Sequence, residues 1–203
     1  MITINNLSKS YGKNTIFSDY DLKIEKGQMV AIVGVSGKGK STLLNIIGSL
    51  EPFESGSVEV NERNIKKMKH KEQLRFLRDD VSFLFQNYAL MENHTVYDNI
   101  TMGQKINKKN LLEKVLNEVG LSGFENRIIS TLSGGEQQRV ALARIMLKPS
   151  KLILADEPTG NLDQTNSSKV WDILLQLKRM NKTVLVVTHE KESLHHFDRV
   201  INL

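Results

Sequence analysis

The chain has 203 residues, of which 39% are hydrophobic and 25% charged, and it carries a net charge of +5 with no cysteine. This length supports one domain with a full core, and the composition is that of a soluble globular protein. The absence of cysteine excludes disulfides and thiolate metal sites, and with no apolar run of about 18 residues and no signal peptide the sequence predicts no membrane span. The mild positive excess suits a partner that carries phosphate.

Residues 1–30 alternate polar and apolar side chains, which predicts a small antiparallel sheet. Short runs rich in valine and isoleucine follow and predict the buried strands of a parallel sheet. These strands are expected at 28–34, 81–85, 151–156 and 182–189, and amphipathic helices at 41–50, 108–120 and 166–180. The predicted fold class is therefore α/β, with a mostly parallel sheet and an N-terminal antiparallel β subdomain.

Each predicted helix has one apolar side, which is expected to face the core. On the first helix the apolar residues are Leu43, Leu44, Ile46, Ile47 and Leu50. On the second, which Gly120 ends, they are Leu111, Leu112, Val115, Leu116 and Val119. On the third they are Val170, Ile173, Leu174 and Leu177.

Between Gln86 and Pro149 the pattern is typical of helices alone. We therefore predict a single domain over 1–203, with a core at about 1–86 and 150–203 and an α-helical insertion at about 87–149. The run 62–80 holds seven Lys or Arg and four acids. Its favoured interpretation is a solvated amphipathic helix with its leucines turned inward, and a patch facing a membrane or nucleic acid is the alternative.

The stretch GVSGKGKST at 34–42 fits the phosphate-loop pattern G-x-x-x-x-G-K-[ST] between a strand and a helix. Gly34 opens the loop, Gly39 closes it, and the backbone N–H groups of Ser36, Gly37 and Lys38 are expected to wrap the phosphates. The remaining predicted roles concern the side chains at the start of the helix. Lys40 would reach the β- and γ-phosphates, Ser41 would ligate Mg²⁺, and Thr42 would lie near the α-phosphate. The predicted core is thus that of a P-loop NTPase.

Lys38 is a second lysine in this loop, at a position whose side chain the phosphate-loop pattern does not dictate. It is either a solvated lysine without a role or a cation that reaches the γ-phosphate and supplements Lys40.

Asp156 and Glu157 emerge at the end of the predicted strand 151–156, where doubly wound sheets bind their ligands. Adjacent carboxylates at a strand end are often merely solvated. With a phosphate loop upstream, Asp156 is expected to bind Mg²⁺ directly or through water, and Glu157 to orient or deprotonate the attacking water.

The segment LSGGEQQRVALAR at 132–144 begins with Ser133 and Glu136 in the spacing of a capping box. Gly134 and Gly135 follow the cap directly and leave backbone N–H groups bare, which makes a second anion-binding turn. This segment resembles the signature of the ATP-binding cassette (ABC) family, and the resemblance covers essentially the whole chain. It implies ATP and Mg²⁺ as cofactors and a head-to-tail homodimer, in which the turn Ser133–Gly135 of each subunit covers the γ-phosphate held by the other.

Further positions match the family pattern. The resemblance implies that Tyr11 stacks on adenine, that Gln86 contacts Mg²⁺ and the water, and that His189 is a switch contacting the γ-phosphate. Taken alone, Tyr11 would be interpreted as a packing residue and His189 as a structural one. The stretch Asn161–Leu162–Asp163 resembles the loop through which one subunit senses the other.

The resemblance also implies a separate integral membrane permease that docks near Asn87–Asn99, which would place the chain in the cytoplasm, peripheral on the inner face of the cell membrane. Tyr88, Leu90 and Met91 are expected to be exposed there and to receive a permease helix, and packing within the domain is the alternative. The similarity to ATPases for macrolide, peptide, bacteriocin and lipoprotein transport implies an exporter.

The sequence does not separate export from a second function that uses the same fold. The ATPase could drive conformational signalling in a membrane complex without cargo. A soluble ABC ATPase acting on nucleic acid or ribosomes would be expected to carry a coiled-coil insertion, zinc cysteines or a second cassette, so no nucleic-acid partner is expected. A GTPase or small-molecule kinase would lack LSGGEQ, and the guanine motif N-K-x-D is missing here.

Overall fold

The computed structural model of the chain describes residues 1–102, 109–160 and 162–203. Its strands are β1 Ile2–Tyr11, β2 Asn14–Ile24, β3 Met29–Val33, β4 Ser55–Val60, β5 Arg63–Asn64, β6 Val81–Leu84, β7 Leu152–Asp156, β8 Thr183–Val187 and β9 Arg199–Asn202. Its α-helices are α1 Lys40–Ile47, α2 His70–Asp79, α3 Val96–Thr101, α4 Lys109–Glu118, α5 Gly134–Leu147 and α6 Gln164–Arg179. In these described ranges, no helix combines the length and the apolarity that crossing a bilayer requires.

Strands β1 and β2 form the predicted antiparallel sheet, which β4 and β5, two strands that were not predicted, extend to the order β2-β1-β4-β5. Ile2 pairs with Ile24 on one side and with Val60 on the other, and all three side chains are fully buried. Successive side chains of a strand point to opposite faces of a sheet, so the alternation of apolar and polar residues along β1 gives this sheet one apolar face, which packs on the core.

The second sheet is parallel throughout, in the order β6-β7-β8-β3-β9. Because parallel strands end at the same edge, the segments that follow β3, β6, β7 and β8 lie along one rim of the sheet. This topology explains why motifs far apart in sequence can form one site. Strand β9 was not predicted, because its four residues include only two apolar side chains and both are half-buried or exposed.

Both faces of the parallel sheet are covered, which explains the nearly continuous apolar runs of its strands. On β7, Leu152 and Leu154 pack in the cluster that contains α1 and the antiparallel sheet. Ile153 and Ala155 pack on the other side, in the cluster that contains α4, α5 and α6. Helices α1 and α5 therefore cover opposite faces of the sheet.

Two predicted core leucines are exposed, so those predictions are wrong. Helix α1 ends at Ile47 because Gly48 follows it and packs against the Phe83 ring, where a Cβ would collide. Leu50 therefore lies beyond the helix and is 45% exposed. Leu111 is 41% exposed at the edge of the apolar face of α4, whose other predicted residues are buried. The predicted start of that helix at Lys108 lies outside the described residues.

The basic run 62–80 is not one helix. It forms β5, a 3-10 turn at Ile65–Lys67, and then α2, which begins after Lys69, where the Lys69 N–H donates to the Glu72 carboxylate at 2.8 Å. The leucines were expected to face inward, but Leu74 is 54% exposed and Phe76 is the residue that is fully buried.

Between β6 and β7 the described residues form helices and one isolated bridge between Thr95 and Ile128. This agrees with the predicted helical character of the stretch. The division into a core and an insertion at about 87–149 stays a prediction.

Candidate nucleotide-binding site

The phosphate loop, residues 34–41, connects β3 to α1. Gly39 is the residue before the first turn of α1 and has φ of +87°, and a Cβ at this position would collide with the Ile16 side chain. A glycine is therefore required here both by the left-handed backbone and by the close approach of β2. The side chains of Ser36 and Lys38 are exposed, so the outer surface of the loop is open to a ligand.

Lys40 lies inside the phosphate loop and is only 9% exposed. Its Nζ donates to the carbonyl oxygens of Gly34 at 2.9 Å and Val35 at 3.0 Å. Both acceptors are neutral, so the positive charge of Lys40 remains available to an anionic ligand. A buried ammonium beside open backbone N–H groups fits the phosphates of a nucleotide.

Asp156 ends β7 at the rim that carries the phosphate loop, and the Ser41 side chain lies near its carboxylate. Burial raises the pKa of Asp156, and the neighbouring Glu157 adds to this effect, whereas the nearby Ser41 hydroxyl opposes it. A desolvated carboxylate gains from a nearby cation, and an adjacent hydroxyl and carboxylate are the hard oxygen donors that Mg²⁺ prefers. The residues present therefore fit this metal.

In the described part of the chain, no three His, Cys, Asp or Glu side chains are grouped closely enough to hold a metal ion. Mg²⁺ in nucleotide sites usually takes one or two protein ligands and completes its shell with phosphates and water. The small donor set of Ser41 and Asp156 agrees with that pattern.

Glu157 has an unusual backbone, with φ of +46° in the left-handed region. Its N–H donates to the Val187 carbonyl at 2.9 Å, which holds this conformation against the end of β8. Its Oε1 lies 3.3 Å from Nδ1 of His189. Strained residues of this kind concentrate at functional sites, and here the strain turns a carboxylate towards a histidine on the neighbouring strand end.

The segment after β8 is tied to the segment after Glu157. The Thr159 hydroxyl donates to Oε1 of Glu190 at 2.8 Å, and the Glu190 N–H donates to the Thr188 hydroxyl at 3.1 Å. His189 lies between these anchored residues with its own side chain 62% exposed. The histidine is therefore positioned by its backbone while its ring remains open to solvent.

The signature turn, Ser133–Gly135, opens α5 with the predicted capping box. The Ser133 N–H and hydroxyl donate to Oε2 of Glu136 at 2.7 and 2.9 Å, and the Glu136 N–H donates to the Ser133 hydroxyl at 3.4 Å. The signature turn and the phosphate loop therefore open two helices, α5 and α1, that pack on opposite faces of the parallel sheet.

The pKa of Glu136 lies below its ordinary value of 4.5, chiefly because the Ser133 N–H donates to its carboxylate. A lowered folded pKa stabilises the folded state at pH values above 4.5, and this contribution is lost as pH falls through the lower folded value. We expect Glu136→Gln to lower the free energy of unfolding at pH 7 by about 0.3–1 kcal/mol, because the negative charge at the start of α5 is lost. Urea titrations at a series of pH values should show this difference shrink as the pH falls below 4.5. The exposed Glu113→Gln is the control, and a pH-independent difference would contradict the assignment.

Contacts that the sequence did not reveal join the signature turn to α6. The amide of Asn166 leaves no room for a Cβ on Gly135, and Nδ2 of Asn166 donates to Asp163 at 2.6 Å. Arg139 donates to Oδ1 of Asn166 at 2.7 Å, and Gln138 donates to the Pro158 carbonyl at 2.7 Å. Their only sequence signal is proximity to the two motifs, since the contacts span 20 or more positions.

The remaining predicted site residues are placed as follows. Gln86 follows β6 at the common rim and is exposed. Asp163 caps α6 by accepting the Asn166 N–H at 2.9 Å, and Asn161 lies outside the described residues. Tyr11 is 49% exposed, with the Lys9 ammonium 4.5 Å from its ring centroid. Half of the Tyr11 surface is therefore available to a ligand.

Two of the three apolar residues expected to be exposed after Gln86 pack internally, which corrects that prediction. Tyr88 and Leu90 are half-buried against the helical core cluster. Met91 is also half-buried, and its backbone is held by Asn99 through bonds of 2.7 and 3.1 Å. In this stretch Tyr97 is the exposed aromatic side chain, at 45%.

A parallel sheet with a phosphate loop after one strand and an acidic pair after another defines a P-loop nucleoside triphosphatase. The family model of ABC transporters matches residues 17–160. The chain belongs to this family, as its ATP-binding ATPase cassette.

Relatives with different transport roles are similar to this chain. It is 38% identical over 209 residues to the macrolide export ATP-binding/permease protein MacB of Campylobacter jejuni, with 100% of this chain and 33% of MacB covered. The lipoprotein-releasing system ATP-binding protein LolD of Pseudoalteromonas translucida is 39% identical over 204 residues, covering 95% of this chain and 88% of LolD. The methionine import ATP-binding protein MetN of Clostridioides difficile is 38% identical over 200 residues, covering 95% of this chain and 62% of MetN.

Among solved structures, a post-hydrolysis dimer of the ATP-binding cassette MJ0796 bound to ADP and Pi superposes with a TM-score of 0.90 at 32% identity, covering 100% of this chain and 94% of that one. The chain spans about a third of the length of MacB but most of the length of LolD. The relatives that are similar to this chain thus include both export and import ATP-binding proteins.

Proposed function

We propose that this chain is the ATP-hydrolysing subunit of an exporter and works as a head-to-tail homodimer on a separate membrane permease. The observation that carries the proposal is that one chain has two turns with backbone N–H groups suited to anions, the phosphate loop and the signature turn, at the starts of helices that pack on opposite faces of one sheet. One nucleotide in one subunit needs only the first. Two subunits facing each other would use both, and the dimeric MJ0796 cassette supports this arrangement.

In the proposed site, the phosphate loop and Lys40 bind the phosphates, with Tyr11 against the adenine. Ser41 and Asp156 would hold Mg²⁺, with Gln86 nearby, and the metal would supply charge neutralisation at the phosphate oxygens. The two carbonyl oxygens that the Lys40 ammonium now contacts are neutral, so negatively charged phosphate oxygens would compete with them for this cation.

Glu157 acts as the general base in this proposal. Its carboxylate takes the proton of the attacking water, a role typically worth about 10²–10⁴-fold in rate. His189, 3.3 Å away, orients that carboxylate and contacts the γ-phosphate. The hydrogen bonds that join Thr159, Glu190 and Thr188 hold the backbone segments that carry Glu157 and His189 next to each other.

The docking segment, residues 87–99, is the proposed contact with the permease. Tyr97 is exposed there, and Thr95 and Asp98 form a capping box that fixes the start of α3. The permease would place the chain on the inner face of the cell membrane. A second candidate function is conformational signalling in a membrane complex without cargo, which uses the same ATPase cycle and the same segment.

The proposal is tested by purifying Glu157→Gln protein with Mg·ATP from native membranes in mild detergent and identifying its partner. A polytopic membrane protein at one or two copies per dimer would support it, and the partner's cavity would distinguish export from signalling. A soluble ribosomal or DNA-bound assembly without a membrane protein would overturn it. Wild-type protein without nucleotide is the control.

Lys38→Ser is expected to weaken ATP binding about two- to fivefold at low salt without abolishing hydrolysis. The Lys38 side chain is exposed on the phosphate loop. Its ammonium can attract the γ-phosphate there, but water and dissolved salt screen the attraction. Dissociation constants should be measured across salt concentrations, with Lys26→Ser, at the other end of β3, as the control. Equal constants for Lys38→Ser and wild type at every salt concentration would show that Lys38 is only solvated.

A further inference from the structure

The turn after Gln86 has a strained backbone. Tyr88 and Ala89 both lie in the left-handed region, with φ of +62° and +46°. Two successive non-glycine residues in this region are costly, and such a turn persists only when its surroundings hold it. Local hydrogen bonds from the N–H groups of Tyr88 to Phe85 and of Ala89 to Asn87 close the turn at 2.9 and 2.7 Å.

Arg144 of α5 holds the outer side of this turn. Its two terminal nitrogens donate to the carbonyl oxygens of Tyr88 at 2.9 Å and Ala89 at 2.8 Å. Burial lowers the pKa of the Arg144 guanidinium, so this cation is substantially desolvated. The two carbonyls compensate that cost, and the left-handed backbone is the conformation in which both point to one guanidinium. Turn and arginine therefore stabilise each other.

The Tyr88 side chain connects the same turn to the other end of α5. Its ring is half-buried against the helical core cluster. Its hydroxyl lies 3.7 Å from the position that a Cβ on Gly134 would occupy. Gly134 is the first residue of α5 and belongs to the signature turn. Tyr88 thus accepts a hydrogen bond from Arg144 of α5 through its carbonyl, and its hydroxyl lies next to Gly134 of the signature turn.

We propose that Tyr88 and Arg144 are positioning residues that lock the turn after Gln86 to α5, so that the signature turn moves with the start of the docking segment. The inference rests on the proposed function for what would drive the movement. The link itself is a property of the single chain and can be tested without a permease or a dimer.

Amide hydrogen exchange of the isolated chain tests the link. In Arg144→Lys a single ammonium cannot serve two carbonyls in fork geometry, and exchange in segments 86–91 and 133–138 should accelerate together, by about tenfold. Segment 29–47, which holds the phosphate loop, should exchange as in wild type. Faster hydrogen exchange in segment 86–91 together with unchanged exchange in segment 133–138 would overturn the proposal.

Tyr88→Ala separates the two contacts, because it removes the ring and keeps the carbonyl that Arg144 binds. Exchange should then accelerate mainly in 133–138. Ala89→Gly keeps both contacts and relieves the left-handed strain, so its 133–138 exchange should stay at the wild-type rate. If Tyr88→Ala leaves 133–138 unchanged while its thermal melt stays cooperative, Tyr88 is not a link.

In a Glu157→Gln background, Arg144→Lys and Tyr88→Ala should also weaken ATP-driven self-association, whereas the Kd for ATP of the monomer should stay within about twofold of the parent. Wild-type-like self-association would overturn the proposal. If the Glu157→Gln parent does not self-associate at all, the proposed function fails, and the exchange experiment still decides the link.

Discussion

Lys40→Ala is expected to lose measurable ATP binding. The Lys40 ammonium is the buried cation of the phosphate loop, and it donates to the two carbonyls at 2.9 and 3.0 Å that keep it inside the loop. Charge-assisted hydrogen bonds to phosphate are worth about 1.5–3 kcal/mol each, so losing two of them lowers affinity at least about a hundredfold.

Titration with fluorescent ATP measures this loss directly. Lys26→Ala, which removes an exposed lysine at the other end of β3, should bind as wild type. Thermal melts of both variants without nucleotide separate a binding defect from unfolding. An affinity of folded Lys40→Ala within threefold of wild type would mean that the loop N–H groups alone bind the phosphates.

Glu157→Gln is expected to retain ATP binding while its hydrolysis falls about 10²–10⁴-fold. Glutamine has the same shape and tolerates the backbone at φ of +46° as glutamate does, so the turn against Val187 is kept. What is lost is the ability to accept a proton and the pairing with His189 at 3.3 Å. With ATP bound and not consumed, the closed dimer should accumulate.

Phosphate release and light scattering after size exclusion measure the two effects together. Glu192→Gln removes an exposed carboxylate three residues beyond His189 and should hydrolyse ATP at the wild-type rate. If Glu157→Gln hydrolyses ATP at the wild-type rate, Glu157 is not the general base. If Glu157→Gln stops hydrolysis but forms no dimer, Glu157 is still supported as the general base, and the head-to-tail dimer is contradicted.

Most of the fold followed from local patterns, and its exceptions have a common cause. The predicted strands and the three predicted amphipathic helices are present because apolar periodicity reports burial of a whole face. Leu50, Leu74 and Leu111 carry the same apolar signal but lie beyond a helix end or at the margin of a face. Strand β9 is held by pairing with β3 rather than by its own composition.

For the site, the sequence alone determined the chemistry that depends on neighbours along the chain. The glycine spacing of the phosphate loop, the lysine at its end and the capping box at Ser133 are local, because backbone dihedrals and hydrogen bonds three residues apart decide them. The carboxylates after β7 were also predictable from their place at the end of a buried strand.

Only the tertiary structure decided which side chains meet across the chain. Glu157 pairs with His189, which is 32 positions away in the sequence. Tyr88 lies next to Gly134 of α5, 46 positions away. Arg144 binds the strained turn at Tyr88 and Ala89, which are 56 and 55 positions away. These contacts depend on strand order and helix packing, where many distant residues act together. Spacing within a motif carries no information about them, and this is why the proposed link between the docking segment and the signature turn was visible only in the fold.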